Sequence, residues 1–303
     1  MYKKIIDEIC HELNIDCTYL SKDWLIKLAK DNQVKYIAGN KFPLNNYVIG
    51  RIMDDKYALY EILNDLSIPV CLHHIFFNEF NPQDYCKGCQ TKEDLLKAFN
   101  EYGRNVIIKP NKGSQGKGVM HIIDEHTLLK ETKELLVTNY SISMQPFYKI
   151  KNEYRTIILD NEVKLLFKKI NPTVIGDGKS TLKELLIAFN KEYFSDKEIP
   201  NIIPKDGEEY IYDFHFNLST GSIASVDIDS NLKEKITSLA LKVTKKVGIR
   251  FASVDIIETT DNELLVLEAN SGVTIDKAIN FLKDGYNIAK NIYKEAIIKM
   301  FEE

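Results

Sequence analysis

The sequence predicts an α+β chain in which helices alternate with strands joined by tight turns, and three stretches carry that reading. Residues 105–123 read as strand, glycine-rich loop, strand. Residues 153–159 and 163–170 are extended runs joined by the turn Asp160-Asn161-Glu162. Residues 251–257 and 264–269 form a second strand pair, preceded by a helix whose apolar face is Leu232, Ile236, Leu239, Ala240, Val243 and Val247.

The other elements follow in chain order. Residues 1–44 hold two amphipathic helical patterns, 3–13 and 22–29, then a strand-like run at 34–38; the segment is too small for a core of its own. Asp54-Asp55-Lys56 opens a helix through residue 66, and Ser67-Ile68-Pro69-Val70 leads into an extended run ending at Phe77. Thr91-Lys92-Glu93-Asp94 has the form of a capping box, opening a helix that ends near Gly103. After the glycine-rich hairpin come a helix at 125–136 and a strand at 141–147. Gly176-Asp177-Gly178 breaks the chain, and Thr181-Leu182-Lys183-Glu184 opens a helix to about Tyr193. A polar, Pro-containing loop spans 195–209, and a long helix runs from Ile279. There are no internal repeats.

Composition narrows the function classes. A chain of 303 residues with 28% charged and 44% hydrophobic residues is ordinary for a folded globular protein. The net charge of −4 and the absence of a basic stripe argue against nucleic acid as a partner. No run approaches the roughly 18 apolar residues of a membrane span, and no secretory h-region opens the chain, so a cytoplasmic location is expected. Five cysteines fit free thiols better than a disulfide framework. Cys86-Lys87-Gly88-Cys89 lacks the second pair that a zinc site needs.

Three constellations carry chemistry. In Lys109-Pro110-Asn111-Lys112-Gly113-Ser114-Gln115-Gly116-Lys117-Gly118, the glycines let backbone N–H groups approach anionic oxygens, while Lys109, Lys112 and Lys117 supply charge. The apolar run starting at Val119 excludes both a Walker A loop and a Rossmann fingerprint, since a strand follows and not a helix. The loop therefore reads as a flap over a nucleotide; the plain alternative is a glycine-rich turn with surface lysines. Asp255 interrupts an apolar run, and Glu268 and Asn270 share one face of the next strand, so antiparallel pairing would aim three oxygen donors at one point. Such donors suit Mg²⁺; a salt-bridged strand end is the alternative. Glu153 and Arg155 also share a face, suited to a ribose diol and to phosphoryl or carboxylate oxygens, or to a solvent-exposed ion pair.

The order of these pieces resembles the ATP-grasp superfamily of carboxylate-amine ligases. Lys56 opens a helix, Lys109 precedes a Gly-rich hairpin, Gln145-Pro146-Phe147 precedes Glu153-Tyr154-Arg155, and Asp255 precedes Glu268-x-Asn270. More narrowly, Glu153-Tyr154-Arg155, the run Val174-Ile175-Gly176-Asp177-Gly178-Lys179-Ser180-Thr181, and Asn217-Leu218-Ser219-Thr220-Gly221 are similar to the ATP-grasp region of cyanophycin synthetase and the bifunctional glutathione synthetases. The resemblance covers about residues 54–275. It implies two α+β subdomains gripping ATP: a short N-terminal segment at 1–53, a subdomain with the flap at 54–140, and a subdomain with the metal site at 141–303.

Carried over by position, the resemblance puts Lys56, Lys109 and the loop Gly113, Ser114, Gln115, Gly116, Lys117 and Gly118 on the phosphates of ATP. Gln145, Pro146, Phe147 and Tyr148 line the adenine, and Glu153 holds the ribose. Asp255, Glu268 and Asn270 hold Mg²⁺, with Mn²⁺ as an alternative, while Arg155 and Asn217 face an acyl phosphate. The chain departs from the pattern where His215-Phe216-Asn217 replaces Arg-x-Asn, where Ser222 replaces a glycine, where Ser271-Gly272-Val273 follows Asn270, and in its short N-terminal segment. The expected activity is ATP-dependent joining of a carboxylate, of an amino acid or peptide, to an amine, releasing ADP and phosphate. The acceptor is left open between a free molecule, a peptide and a carrier protein, and a homodimer is left open too. The competing reading is a nucleotide-binding sensor or partner subunit without ligase chemistry. A kinase lacks its His-Arg-Asp and Asp-Phe-Gly signatures here.

Overall fold

A computed structural model describes residues 1–78, 91–114 and 116–302. The Cys86–Cys89 pair and Gln115 fall outside these residues. The chain opens with α1 (Tyr2–Leu13) and an antiparallel meander of β1 (Asp16–Leu20), β2 (Leu25–Lys30) and β3 (Gln33–Ala38). Residues 22–29 are thus a turn and a strand, not the expected helix. Leu25, Ile26, Leu28 and Ala29 satisfy helical spacing as well as alternation, so periodicity does not separate the two. The positive φ of Ser21, Lys22 and Asp23 decides for the hairpin. Between β3 and the first expected flap element lies α2 (Tyr47–Met53), which went unread; α3 (Lys56–Asp65) follows, capped by the Asp55 carboxylate.

Next come β4 (His74–Phe77), α4 (Lys92–Glu101), β5 (Val106–Pro110), β6 (Met120–Ile122), α5 (Glu125–Thr138) and β7 (Ser141–Pro146). The four strands form an antiparallel sheet in the order β4-β7-β5-β6, and the capping box at Thr91 and Asp94 is present. Alternation splits β5 between two faces. Val106 and Ile108 pack with Phe99 of α4 and Leu128 of α5, while Ile107 and Lys109 face the other way.

The rest of the chain supplies β8 (Ile150–Leu159), β9 (Glu162–Ile170), β10 (Thr173–Ile175), α6 (Leu182–Phe189), α7 (Lys191–Phe194), β11 (Glu209–Ile211), β12 (Ile223–Ser225), α8 (Ser230–Val247), β13 (Phe251–Thr259), β14 (Leu264–Asn270) and α9 (Gly285–Phe301). The helix expected to run to Tyr193 is broken at Asn190. That side chain accepts from the Tyr193 N–H at 3.2 Å and donates to the Gly221 carbonyl at 2.9 Å, so it starts a new turn.

A five-stranded antiparallel sheet, β12-β9-β8-β13-β14, organises this half. One face carries Tyr154, Ile158, Ala252, Val254 and Ile256 under α8, and Met53, Leu59 and Leu63 join the same core. The other face is divided along its length. Ile157, Leu159, Phe167 and Phe251 lie in a core with α1, β2, β3 and α9, whereas Glu153, Arg155, Lys169 and Asp255 continue the same face into a cleft. Among the described residues no helix is long and apolar enough to cross a membrane.

The N-terminal segment thus shares its core with the five-stranded sheet, and Ile37 within it is fully buried. Ile37→Ala should cost about 2–5 kcal/mol by leaving a cavity, and denaturant unfolding should remain one transition. A separate early transition for the variant would mean that the segment folds apart from the sheet.

Candidate functional site

The cleft of about 710 Å³ lies between the two sheets and receives residues from both. Lys109 and Gln145 come from the four-stranded sheet, Phe147 from the residue just after β7, and Glu153, Arg155, Lys169, Asp255, Glu268 and Asn270 from the five-stranded one. The flap closes over it from a base tied to α3. Asn111, fully buried, accepts from the Tyr57 N–H at 3.0 Å and donates to Asp55 at 2.7 Å. Lys56 Nζ donates to the Gly113 carbonyl at 2.7 Å and lies 4.0 Å from Glu268 Oε2. The first expected phosphate lysine therefore bridges flap and opposite sheet.

The sequence-predicted residues do not all arrive where expected. Gly113, Ser114, Gly116 and Lys117 line the cleft, but Gly118 does not: with φ at +71°, a Cβ there would stand 3.1 Å from the Pro110 ring. Gly118 serves the close packing of the hairpin base. Pro146 is likewise off the cleft wall, and Tyr148 lines it while its hydroxyl accepts from the Leu72 N–H at 2.9 Å. Phe147 lines the cleft and stacks on His121 with ring centroids 4.0 Å apart.

Behind the flap sits a buried charge cluster. Antiparallel register places Asp255 opposite both Arg155 and Glu268, and Glu153 opposite Lys169. Arg155 grips Asp255 with two parallel hydrogen bonds, Nε to Oδ1 at 2.7 Å and Nη2 to Oδ2 at 2.6 Å. Lys169 Nζ donates to Asp255 Oδ2 at 3.0 Å and also to Glu153. Burial works to raise the Asp255 pKa, but Arg155 and Lys169 overcome it and hold the carboxyl down at about 2. For Glu153 the balance goes the other way: burial dominates and raises it above the usual carboxylate range, against the pull of Lys169. Glu153, expected on a ribose, is here the partner of a lysine.

Lys169 was not read from the sequence. It is 4% exposed and lines the cleft, and the signal that could have found it is alternation. In β9 Leu165, Phe167 and Lys169 share a face, so the lysine continues an apolar stripe into a place where burial requires an anionic partner.

The oxygen donors fit Mg²⁺ in part. Among the described residues no three His, Cys, Asp or Glu side chains gather as a metal site. Glu268 and Asn270 stand side by side on β14, with Asn270 Nδ2 donating to Glu268 Oε1 at 2.9 Å, and both line the cleft. A rotation of the amide would present an oxygen, giving two hard donors. Asp255 is already engaged by Arg155 and Lys169, so a metal there would compete with them for its oxygens.

The turn after β11 completes the wall. Asn217 Oδ1 accepts from the Ser219 N–H at 2.8 Å, and its carbonyl accepts from the Thr220 hydroxyl at 3.2 Å. Gly221, φ +105°, has no alternative, because a Cβ would lie 2.8 Å from Phe194 Cζ and 2.9 Å from Tyr193 Cδ1.

With this geometry in view, the comparisons with known proteins are specific. Residues 204–296 match the family model of the RimK-like ATP-grasp domain. The bifunctional glutathione synthetase structure from Pasteurella multocida superposes with a TM-score of 0.55 at 18% identity, covering 96% of this chain and 44% of that one. The D-alanine–D-alanine ligase structure from Bacillus anthracis gives 0.56 at 16% identity, covering 85% and 69%. This chain has the ATP-grasp fold. In sequence, the ATP-grasp chain is 23% identical over 279 residues to the glutathione biosynthesis bifunctional protein of Streptococcus mutans, 82% of this chain and 34% of that protein. It is 26% identical over 254 residues to the cyanophycin synthetase of Synechocystis, 73% and 27%. The chain thus spans between about a quarter and a third of the length of these relatives.

Lys109 connects this site to stability. The residue is 5% exposed, its amine donates to Gln145 Oε1 at 2.7 Å, and burial first, then the charge of Lys56, push its pKa down to about 8. An unfolded lysine titrates near about 10.4, so the unfolded chain binds more protons between about pH 8 and 10. Stability therefore rises with pH across that window, and below it the buried charge is a net cost. Lys109→Met should raise the unfolding free energy at pH 7 by about 1–3 kcal/mol while weakening ATP binding at least tenfold. Chemical denaturation and calorimetric ATP titration check the pair; a variant that loses stability and keeps its ATP affinity would remove Lys109 from the site.

Proposed function

We propose that the protein is an ATP- and Mg²⁺-dependent ligase that activates a carboxylate as an acyl phosphate and passes the acyl group to an amine, releasing ADP and inorganic phosphate. The observation that carries this reading is the convergence on one cleft of two lysines, a glycine flap and the oxygen pair Glu268 and Asn270, with Arg155 and Asn217 alongside. Lys56 and Lys109 would hold the phosphates, and the flap N–H groups would screen them from water. Phe147 offers a ring for the adenine to stack against. Glu268 and Asn270, with Asp255, would hold Mg²⁺, which when bound neutralises charge on the phosphate oxygens.

A carboxylate placed beside Arg155 and Asn217 would attack the γ-phosphorus in line, and ADP would leave. Arg155 clamps Asp255 in the structure described, and its planar guanidinium would also offer an edge to the transferring oxygens. The Arg155–Asp255 lock also favours a second reading, a module that binds nucleotide without transferring phosphate. The similarity to glutathione biosynthesis and cyanophycin proteins supports an amino acid or peptide as the carboxylate.

ADP release measured with pools of amino acids, peptides and amines separates the readings. A ligase should release ADP over many turnovers only when both a carboxylate and an amine are supplied, and a binding module should release none. With ¹⁸O in the carboxylate, label should appear in inorganic phosphate, because the oxygen that attacks phosphorus leaves with it. Label in AMP would mean attack at the α-phosphate and would overturn the acyl-phosphate route.

A further inference from the structure

His215 stands where the sequence pattern calls for arginine, and its surroundings are built for an imidazole. Its Nδ1 lies 2.6 Å from Asp213 Oδ1, and the same oxygen accepts the His215 backbone N–H at 2.9 Å. Burial works to raise the Asp213 pKa, but the hydrogen bonds from His215 overcome it, so the carboxylate is ionised and can only accept. Nδ1 is therefore the ring's donor to Asp213, which leaves Nε2 as the nitrogen that can accept a proton. Nε2 is buried and has no hydrogen-bond partner among the described residues.

The ring is also held in place. Phe214 lies against it with centroids 3.9 Å apart, and the buried Ser222 hydroxyl donates to the His215 carbonyl at 3.2 Å. Two of the departures from the family pattern, His215 and Ser222, are thus one hydrogen-bonded unit. His215 lines the cleft beside Asn217 and beneath the flap, where a methyl group on Gly116 would stand 4.0 Å from its Cδ2 and 3.5 Å from Asn217 Nδ2. An orphaned ring nitrogen costs stability, and a cleft wall beside Asn217 is where an attacking amine would pass.

We propose that His215 is the general base of the amine step, with Asp213 as its positioning residue; this rests on the ligase reading above. As the amine nitrogen bonds to the acyl carbon, its proton passes to Nε2. The bond from acyl carbon to phosphate oxygen then breaks, phosphate leaves with that electron pair, and the imidazolium returns the proton to it.

The test compares two small nucleophiles with ATP, Mg²⁺ and a pool of the common L-amino acids. Hydroxylamine is largely unprotonated at neutral pH, and its weakly basic nitrogen gives up its N–H proton to solvent readily once bonded, whereas ammonia is held as ammonium and must shed one proton before attack and another, far more basic one, during it. In wild-type protein both should react, giving hydroxamates and amides. In His215→Asn the ratio of amide to hydroxamate rates should fall by about 10²-fold or more, and Asp213→Asn, which would favour the wrong tautomer, should lower the same ratio. Equal losses with both nucleophiles, an unchanged ratio, or wild-type protein that forms hydroxamate but no amide would each overturn the base assignment and leave the ligase standing. Absence of any wild-type hydroxamate would overturn the ligase reading, and the base with it.

Discussion

The structure depends on one arrangement of buried charge, in which Arg155 and Lys169 hold the carboxylates of Asp255 and Glu153. All four groups lie at the point where one face of the five-stranded sheet passes from an apolar core into the cleft. Taking such charges out of water is costly, and removing one partner leaves another uncompensated. For folding alone, apolar side chains would serve as well or better. The cluster makes sense as a device kept for a charged ligand, since a nucleotide and its metal can replace partners that the side chains now supply to one another.

The two sheets around this cluster divide the work. The five-stranded sheet is covered by α8 on one face and by the N-terminal segment with α9 on the other, which fixes β8, β13 and β14 in register. The four-stranded sheet carries Lys109 and the flap, and α3 ties the flap base through Asp55 and Asn111 while Lys56 reaches the Gly113 carbonyl. Lys56 thus ties the Gly113 end of the flap to α3, and in turn faces Glu268. Lys56 and Glu268, proposed above for phosphate and metal, thus face one another across the cleft.

Much of the architecture was legible in the sequence where local chemistry and global fold agree. The capping boxes at Thr91 and Thr181, the hairpin around the glycine loop and the Asp255–Glu268 pairing all form as read. The meander was misread because residues 22–29 satisfy two periodicities, and only the positive φ of the preceding turn distinguishes them. Short strands such as β10 and β12 carry too few residues to show alternation, and their partners are distant in sequence. The site was legible as a set of residue types but not as a set of partners. Nothing in the order of residues tells that Arg155 takes Asp255, that Lys169 takes Glu153, or that His215 and Ser222 share a hydrogen bond, because each depends on strand register or turn geometry.

The central claim is that the cleft is charged in readiness for a metal–nucleotide pair, not for either component alone. Titration calorimetry of the protein with ATP, once with Mg²⁺ and once with a chelator, tests it most directly. The account predicts that ATP with Mg²⁺ binds at least about tenfold more tightly than ATP without it, a difference of about 1.4 kcal/mol, and that Mg²⁺ alone gives no heat. Equal affinity with and without the metal would contradict it, because Glu268, Asn270 and Asp255 would then have no part in holding the nucleotide.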